Sequence, residues 1–149
     1  MSTPANDPGI AFELDDELVT AQPGETIWSA ARRHGVLIPH LCHSDGLRPD
    51  GNCRACVVEI EGERTLAPSC CRTPVAGQKV RAQSPRARKS QDLVLELLLA
   101  DLPAQGHKWI GDDAALPHGE LSAWAARQGV TPRLALTALR REPPAADLS

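Results

Sequence analysis

A chain of 149 residues that is 42% hydrophobic can bury one modest core and still have length left for an extension. The net charge of −3, with acids and bases interspersed, provides no basic surface for nucleic acid, and an aromatic content of 3% removes the stacking platforms that single strands need. The opening MSTPANDPG lacks a basic segment followed by an apolar run, and no later segment is a long uninterrupted apolar stretch, so no membrane span is expected and the chain is read as cytoplasmic.

Residues 1–9 are expected to be disordered. Ile10, Phe12 and Leu14 then alternate with polar side chains, the pattern breaks at Asp15-Asp16-Glu17, and it resumes as Leu18-Val19-Thr20-Ala21, which predicts a hairpin. Pro23-Gly24-Glu25-Thr26 punctuates the chain and starts a helix. Arg32, Arg33 and His34 fall in its last turn before Gly35, where positive charge suits the helix dipole. Ile27, Ala30 and Ala31 lie at i, i+3 and i+4, so the helix should lay a stripe of small and apolar residues on the hairpin.

Pro39 biases Ile38 away from helix, making 36–39 an extended link into a loop, 43–52, rich in Gly, Pro, Asp and Asn. Gly51 permits positive φ, so that successive backbone N–H groups can face a negatively charged sulfur centre. Val57 to Ile60 reads as a strand, Glu61-Gly62-Glu63 as a turn, Thr65 to Pro68 as a return strand and Lys79 to Ala82 as a last short strand. Ser84-Pro85 is an N-cap followed by proline at the first helical position. The helix it opens is expected to present Leu93, Val94, Leu97 and Leu98 on one face. Beyond it, His107 to His118 looks like loop, Glu120 to Gln128 and Pro132 to Leu139 like short helices, and Glu142 to Ser149 like a Pro/Ala-rich linker.

This order predicts an α+β chain built on a β-grasp domain over 10–83, a leucine-rich helix packed on it over 84–102, and a helical C-terminal extension over 103–149. All five cysteines fall between Ile38 and Val75, spaced Cys42-x10-Cys53-x2-Cys56-x13-Cys70, with Cys71 adjacent. In a reducing compartment clustered cysteines read as metal ligands, and an odd count with a vicinal pair fits a disulfide framework poorly. Four thiolates suit an iron–sulfur cluster or a structural zinc. The ten residues between Cys42 and Cys53, and the lack of a second Cys-x2-Cys, weigh against zinc. Ala55 adds little bulk beside the sulfurs, and a Rieske-type centre would need two well-spaced histidines.

The run IPHLCHSDGLRPDGNCRACVVEIEGERTLAPSC, followed by KSQDLVLELLLADLP, carries C-x8-GNCRxCxVEIEG, LxxSC and LELLLADLP. Over roughly residues 10–103 it resembles the N-terminal [2Fe-2S] ferredoxin-type domain of complex I large peripheral subunits, NAD-linked hydrogenases and NAD-dependent formate dehydrogenases. Asp50 to Cys56 and Ser69 to Arg72 are most similar to the formate dehydrogenase alpha subunit. The resemblance implies a [2Fe-2S] cluster with Cys42 and Cys53 on one iron and Cys56 and Cys70 on the other. Spacing from Cys56 and the preceding Ser69 favour Cys70 as fourth ligand, while the following Arg-Thr-Pro-Val favours Cys71.

It also implies one-electron transfer within an NAD-linked oxidoreductase of formate dehydrogenase type, not catalysis by this chain alone. The implied partners are a flavin/NAD subunit and a molybdopterin-containing region, the chain being a leading fragment of a larger subunit or free-standing. The alternatives are a related NAD-linked hydrogenase, or a zinc-stabilised interaction domain. Unlike complex I and hydrogenase relatives, residues 103–124 carry His107 and His118 but no cysteine for a further [4Fe-4S] cluster.

The remaining candidates are plainer. His40 and His43 flank Cys42 and read as solvated loop residues or as donors to sulfur, and Arg54 as a charge that eases reduction or as a surface residue. Arg81, Arg86, Arg88 and Lys89 form a basic face. Trp28, Trp109 and Trp124 read as packing or subunit-contact anchors.

Overall fold

A computed structural model describes residues 9–42, 47–101 and 120–138. His43, Trp109, the stretch from His107 to His118, Leu139 and the Pro/Ala-rich end lie outside them. Nine elements follow in order: β1 Ile10–Leu14, β2 Glu17–Ala21, α1 Ile27–Arg33, β3 Val57–Ile60, β4 Ala67–Pro68, β5 Lys79–Arg81, α2 Pro85–Asp101, α3 Glu120–Gln128 and α4 Leu134–Thr137.

The hairpin forms because Asp15 and Asp16 both accept positive φ, 50° and 69°, as a tight two-residue turn requires. β2 begins at Glu17, one residue before the alternation resumes in the sequence. Asp15 then does a second task, its Oδ1 accepting the Ala82 and Gln83 amides at 2.8 and 3.2 Å. The strands order as β2-β1-β5-β3-β4. β1 runs parallel to β5, with Glu13 opposite Lys79, and the remaining pairs are antiparallel.

Across this mixed sheet α1 buries Ile27, Trp28, Ala30 and Ala31, which join Phe12, Leu14, Val19, Val58, Ile60 and Val80 in one core. The stripe expected from Ile27, Ala30 and Ala31 is therefore the inward face, widened by Trp28. Thr26 caps α1 by accepting the Ser29 amide, and Gly35 leaves the helix at φ 82°. The architecture is α+β, a five-stranded mixed sheet with α1 packed across it.

The chain forms two compact units, Met1–Gln91 and Asp92–Ser149. In the first, Ser84 caps α2 through the Ala87 amide at 3.2 Å. Gln91 is 1% exposed and donates to the Val57 and Ala82 carbonyls at 2.8 and 3.1 Å. In the second, Gln128 donates to Asp92 at 3.0 Å and Arg133 forks onto Glu96 at 2.7 Å. Arg127 stacks over Trp124.

The leucines expected on one face of α2 are exposed. Leu93, Leu97 and Leu98 are exposed and Val94 is half-buried; Ala87 and Gln91 are buried in the first unit, and Leu95 and Ala100 in the second. LVLELLLA places leucine around most of the helix circumference, so apolar periodicity cannot choose a face there. Within the first unit, the turn carrying Gln91 has a definite orientation because that amide's two acceptors lie on the sheet side. No helix among the described residues is long and apolar enough to cross a membrane.

Candidate metal centre

The cysteines come together in two pairs with contrasting surroundings. Cys42 and Cys53 form the outer pair, both half-buried and within hydrogen-bonding reach of each other. Gly51, at φ 68°, turns the loop so that its own N–H and those of Asn52 and Cys53 point at the Cys42 sulfur. This is the N–H cradle expected from the glycine. Burial pushes the Cys42 thiol up, but these donors and the Cys53 thiol together hold it below the ordinary thiol range. Burial also acts on Cys53 and outweighs donation from Ala55, whose N–H lies 3.5 Å from the sulfur, so that thiol is raised.

Cys56 and Cys70 form the inner pair, 0% and 1% exposed. Cys70 is pushed well above the thiol range, by burial first and then by the neighbouring Cys56 and Cys71 thiols. Between the pairs, Arg54 holds φ 59°, unusual for a residue with a side chain, and Ala55 is fully buried. The Cys53-Arg54-Ala55-Cys56 segment thus makes its sharp reversal at an exposed arginine and turns its smallest side chain inward.

Helix α1 fixes both arms that deliver these thiols. Trp28 Nε1 donates to the Ile38 carbonyl at 3.1 Å, anchoring the link that leads to Cys42. At the other arm, the Ile27 amide donates to Arg72 O at 2.8 Å and the Trp28 amide to Ser69 O at 3.0 Å. Ser69 is fully buried, and its hydroxyl and amide both donate to the Cys56 carbonyl, at 2.6 and 3.2 Å. Cys56 and Cys70 are held together by this serine. Sequence reasoning treated Trp28 as a generic anchor and Ser69 as a neighbour. The only signals available were a tryptophan in a chain poor in aromatics and a serine preceding a cysteine.

Several other candidates change character. His40 is half-buried with its ring edge-on to Trp28 at 4.4 Å, so it is part of the α1 contact and not a solvated rim. Arg72 is paired with Glu63 at 2.7 Å. Of the basic face, Arg86 donates to the Arg64 carbonyl.

A zinc ion needs its thiolates around one point, whereas a [2Fe-2S] cluster takes two on each iron and completes each coordination shell with sulfide. Two thiol pairs, one of them facing backbone N–H donors, with a fully buried alanine in the segment that joins them, fit the diiron group.

Comparison with known proteins agrees with that chemistry. Residues 7–85 match the family described as 2Fe-2S iron-sulfur cluster binding domain. The chain is 36% identical over 94 residues to an NADH-quinone oxidoreductase subunit of Rhizobium meliloti (strain 1021), covering 63% of this chain and 11% of that protein. It is 38% identical over 96 residues to an NADH-quinone oxidoreductase subunit of Streptomyces coelicolor, again covering 63% of this chain and 11% of the relative. The chain therefore spans about a ninth of the length of these relatives. Among solved structures it is similar to an NAD+-reducing [NiFe]-hydrogenase in the H2-reduced state, at a TM-score of 0.64 and 31% identity, over 83% of this chain and 50% of that one. With the family match spanning more than half of its length, the chain belongs to the 2Fe-2S iron-sulfur cluster binding domain family, and its cofactor is a [2Fe-2S] cluster.

Proposed function

We propose that the chain is a one-electron module in which Cys42 and Cys53 hold one iron and Cys56 and Cys70 the other. The pairing of these thiols, two by two, is the observation that carries the reading. The bound cluster supplies single-electron redox chemistry, at about −400 mV in its plant-type relatives, a range suited to flavin and nicotinamide partners. The protein's share is electrostatic and steric. The amides of Gly51, Asn52 and Cys53 stabilise negative charge at the outer sulfurs, while burial of Ala55, Cys56 and Cys70 keeps water from the inner ones. The chain alone performs no catalysis.

We assign the module to an NAD-linked oxidoreductase complex of formate dehydrogenase type, exchanging electrons with a flavin/NAD subunit and a molybdopterin-containing region. The GNCRAC and SCCR segments support that choice. The second reading, a hydrogenase-type complex, is favoured by the likeness to the NAD+-reducing hydrogenase.

Anaerobic reconstitution of the chain tests the cluster assignment. Equal iron and labile sulfide, a brown protein and a rhombic paramagnetic signal after dithionite reduction are expected. A colourless protein with stoichiometric zinc would overturn it. In the complex isolated from its source, formate but not hydrogen should reduce the cluster; the reverse favours the hydrogenase reading.

A further inference from the structure

Cys71 has no place among the four proposed ligands, yet its sulfur has a close sulfur neighbour. It lies 3.6 Å from the Cys70 sulfur. Two thiolates on one tetrahedral metal, at bonds of about 2.3 Å, sit about 3.8 Å apart. Cys71 is therefore within one ligand's spacing of the position Cys70 would hold on iron. On its other side is Gly51, where an added Cβ would fall 2.9 Å from the Cys71 sulfur. The glycine that aims N–H groups at Cys42 also leaves the room in which this thiol lies.

We propose that Cys71 is a reserve ligand, its thiolate taking the iron site of Cys70 when that bond opens. The inference rests on the ligand assignment given above. The residues flanking the two cysteines are tied down, Ser69 by the Trp28 amide at 3.0 Å and Arg72 by the Ile27 amide at 2.8 Å. Exchange thus needs rotation of two side chains between fixed neighbours, not a slip of the backbone. It is also a substitution and not an addition, because each iron of such a cluster takes two thiolates beside its sulfides and Cys56 already holds one of those places.

The step balances without an oxidant. The iron–sulfur bond to Cys70 breaks and that thiolate takes up a proton, while Cys71 gives up a proton and forms the new bond. The exchanged form differs physically, because Cys71 is exposed where Cys70 is 1% exposed. One iron would face water, which alters both chirality at the metal and cluster lifetime in air.

The test uses the full chain with Cys70→Ala, Cys71→Ala and the double substitution, each reconstituted anaerobically. Iron, labile sulfide, visible circular dichroism and the paramagnetic spectrum of the reduced form are read, with far-ultraviolet dichroism to verify folding. Cys71→Ala should match the parent. Cys70→Ala should keep most of the iron and sulfide but show a shifted spectrum and faster bleaching in air, and the double variant should lose nearly all cluster.

If Cys70→Ala is as empty as the double variant, the reserve role is overturned and Cys70 remains the ligand. If Cys71→Ala alone empties the protein, the ligand assignment fails and the reserve role with it. If the parent itself binds no cluster, the one-electron reading fails first. Should Cys70→Ala not fold, Cys70→Val with and without Cys71→Ala makes the same comparison, and equal cluster content in those two would overturn the proposal.

Discussion

The outer and inner thiol pairs are separated by two residues of chain, yet Cys42 of the one and Cys70 of the other meet opposite physics. Cys42 sits among backbone donors that favour its thiolate, whereas Cys70 sits where burial and other thiols disfavour it. Negative charge is better accommodated at Cys42 than at Cys70. The same loop separates the two tasks: Gly51 supplies left-handed backbone for the donors, and Ser69 ties Cys70 to the Cys56 carbonyl.

The largest way to break this contrast is to fill the inner wall. Ala55→Leu brings a side chain into a fully buried position, where overpacking costs about 1–3 kcal/mol, and cluster content after reconstitution should fall to near zero. Next is Gly51→Ala, which combines positive φ, costing about 1 kcal/mol, with the approach to Cys71. It should shorten cluster lifetime several-fold and, by turning N–H groups away from Cys42, make the midpoint potential more negative. An unchanged potential would show that the donors do not set it.

Ser69→Ala leaves the buried Cys56 carbonyl with one donor fewer. The Ser69 amide still donates to that carbonyl, so a loss of about 0.5–1.5 kcal/mol is expected in chemical denaturation. In the metal-free chain at neutral pH, iodoacetamide followed by mass spectrometry should label Cys42 well before Cys70, because a lowered thiol carries more thiolate and a raised one less. Equal rates would remove the electrostatic half of the contrast.

The smallest effect lies at α1. Arg33 holds the Glu25 carboxyl below the ordinary carboxylate range, against the effect of burial. A depressed acid stabilises the fold above its unfolded pKa of about 4.3, and that contribution disappears as pH falls through the folded value. Glu25→Gln should therefore lower Tm slightly at neutral pH and converge with the parent in acid.

The elements that were legible in the sequence are those governed by local rules. Alternation marked the hairpin, Thr26 and Gly35 bounded α1, and Ser84-Pro85 opened α2. Cysteine spacing marked the loop, and Gly51 its need for positive φ. Local rules say nothing about partners distant in the chain. The bonds from Trp28 to Ile38 and from Gln91 to Val57 join segments whose proximity only the folded sheet creates. In α2 the leucines were too many to identify an inner face, and the informative residue was the glutamine among them.

The pairing of the first strand with the last has a consequence for biosynthesis. Because β1 lies beside β5 at the middle of the sheet, every cysteine belongs to a segment enclosed by that contact. While a ribosome has yet to release Arg81, α1 has no finished sheet to rest on and the thiols remain ungathered, since contacts so far apart in sequence form late. The contact that encloses the cysteine segment is thereby completed only after Arg81 has been made.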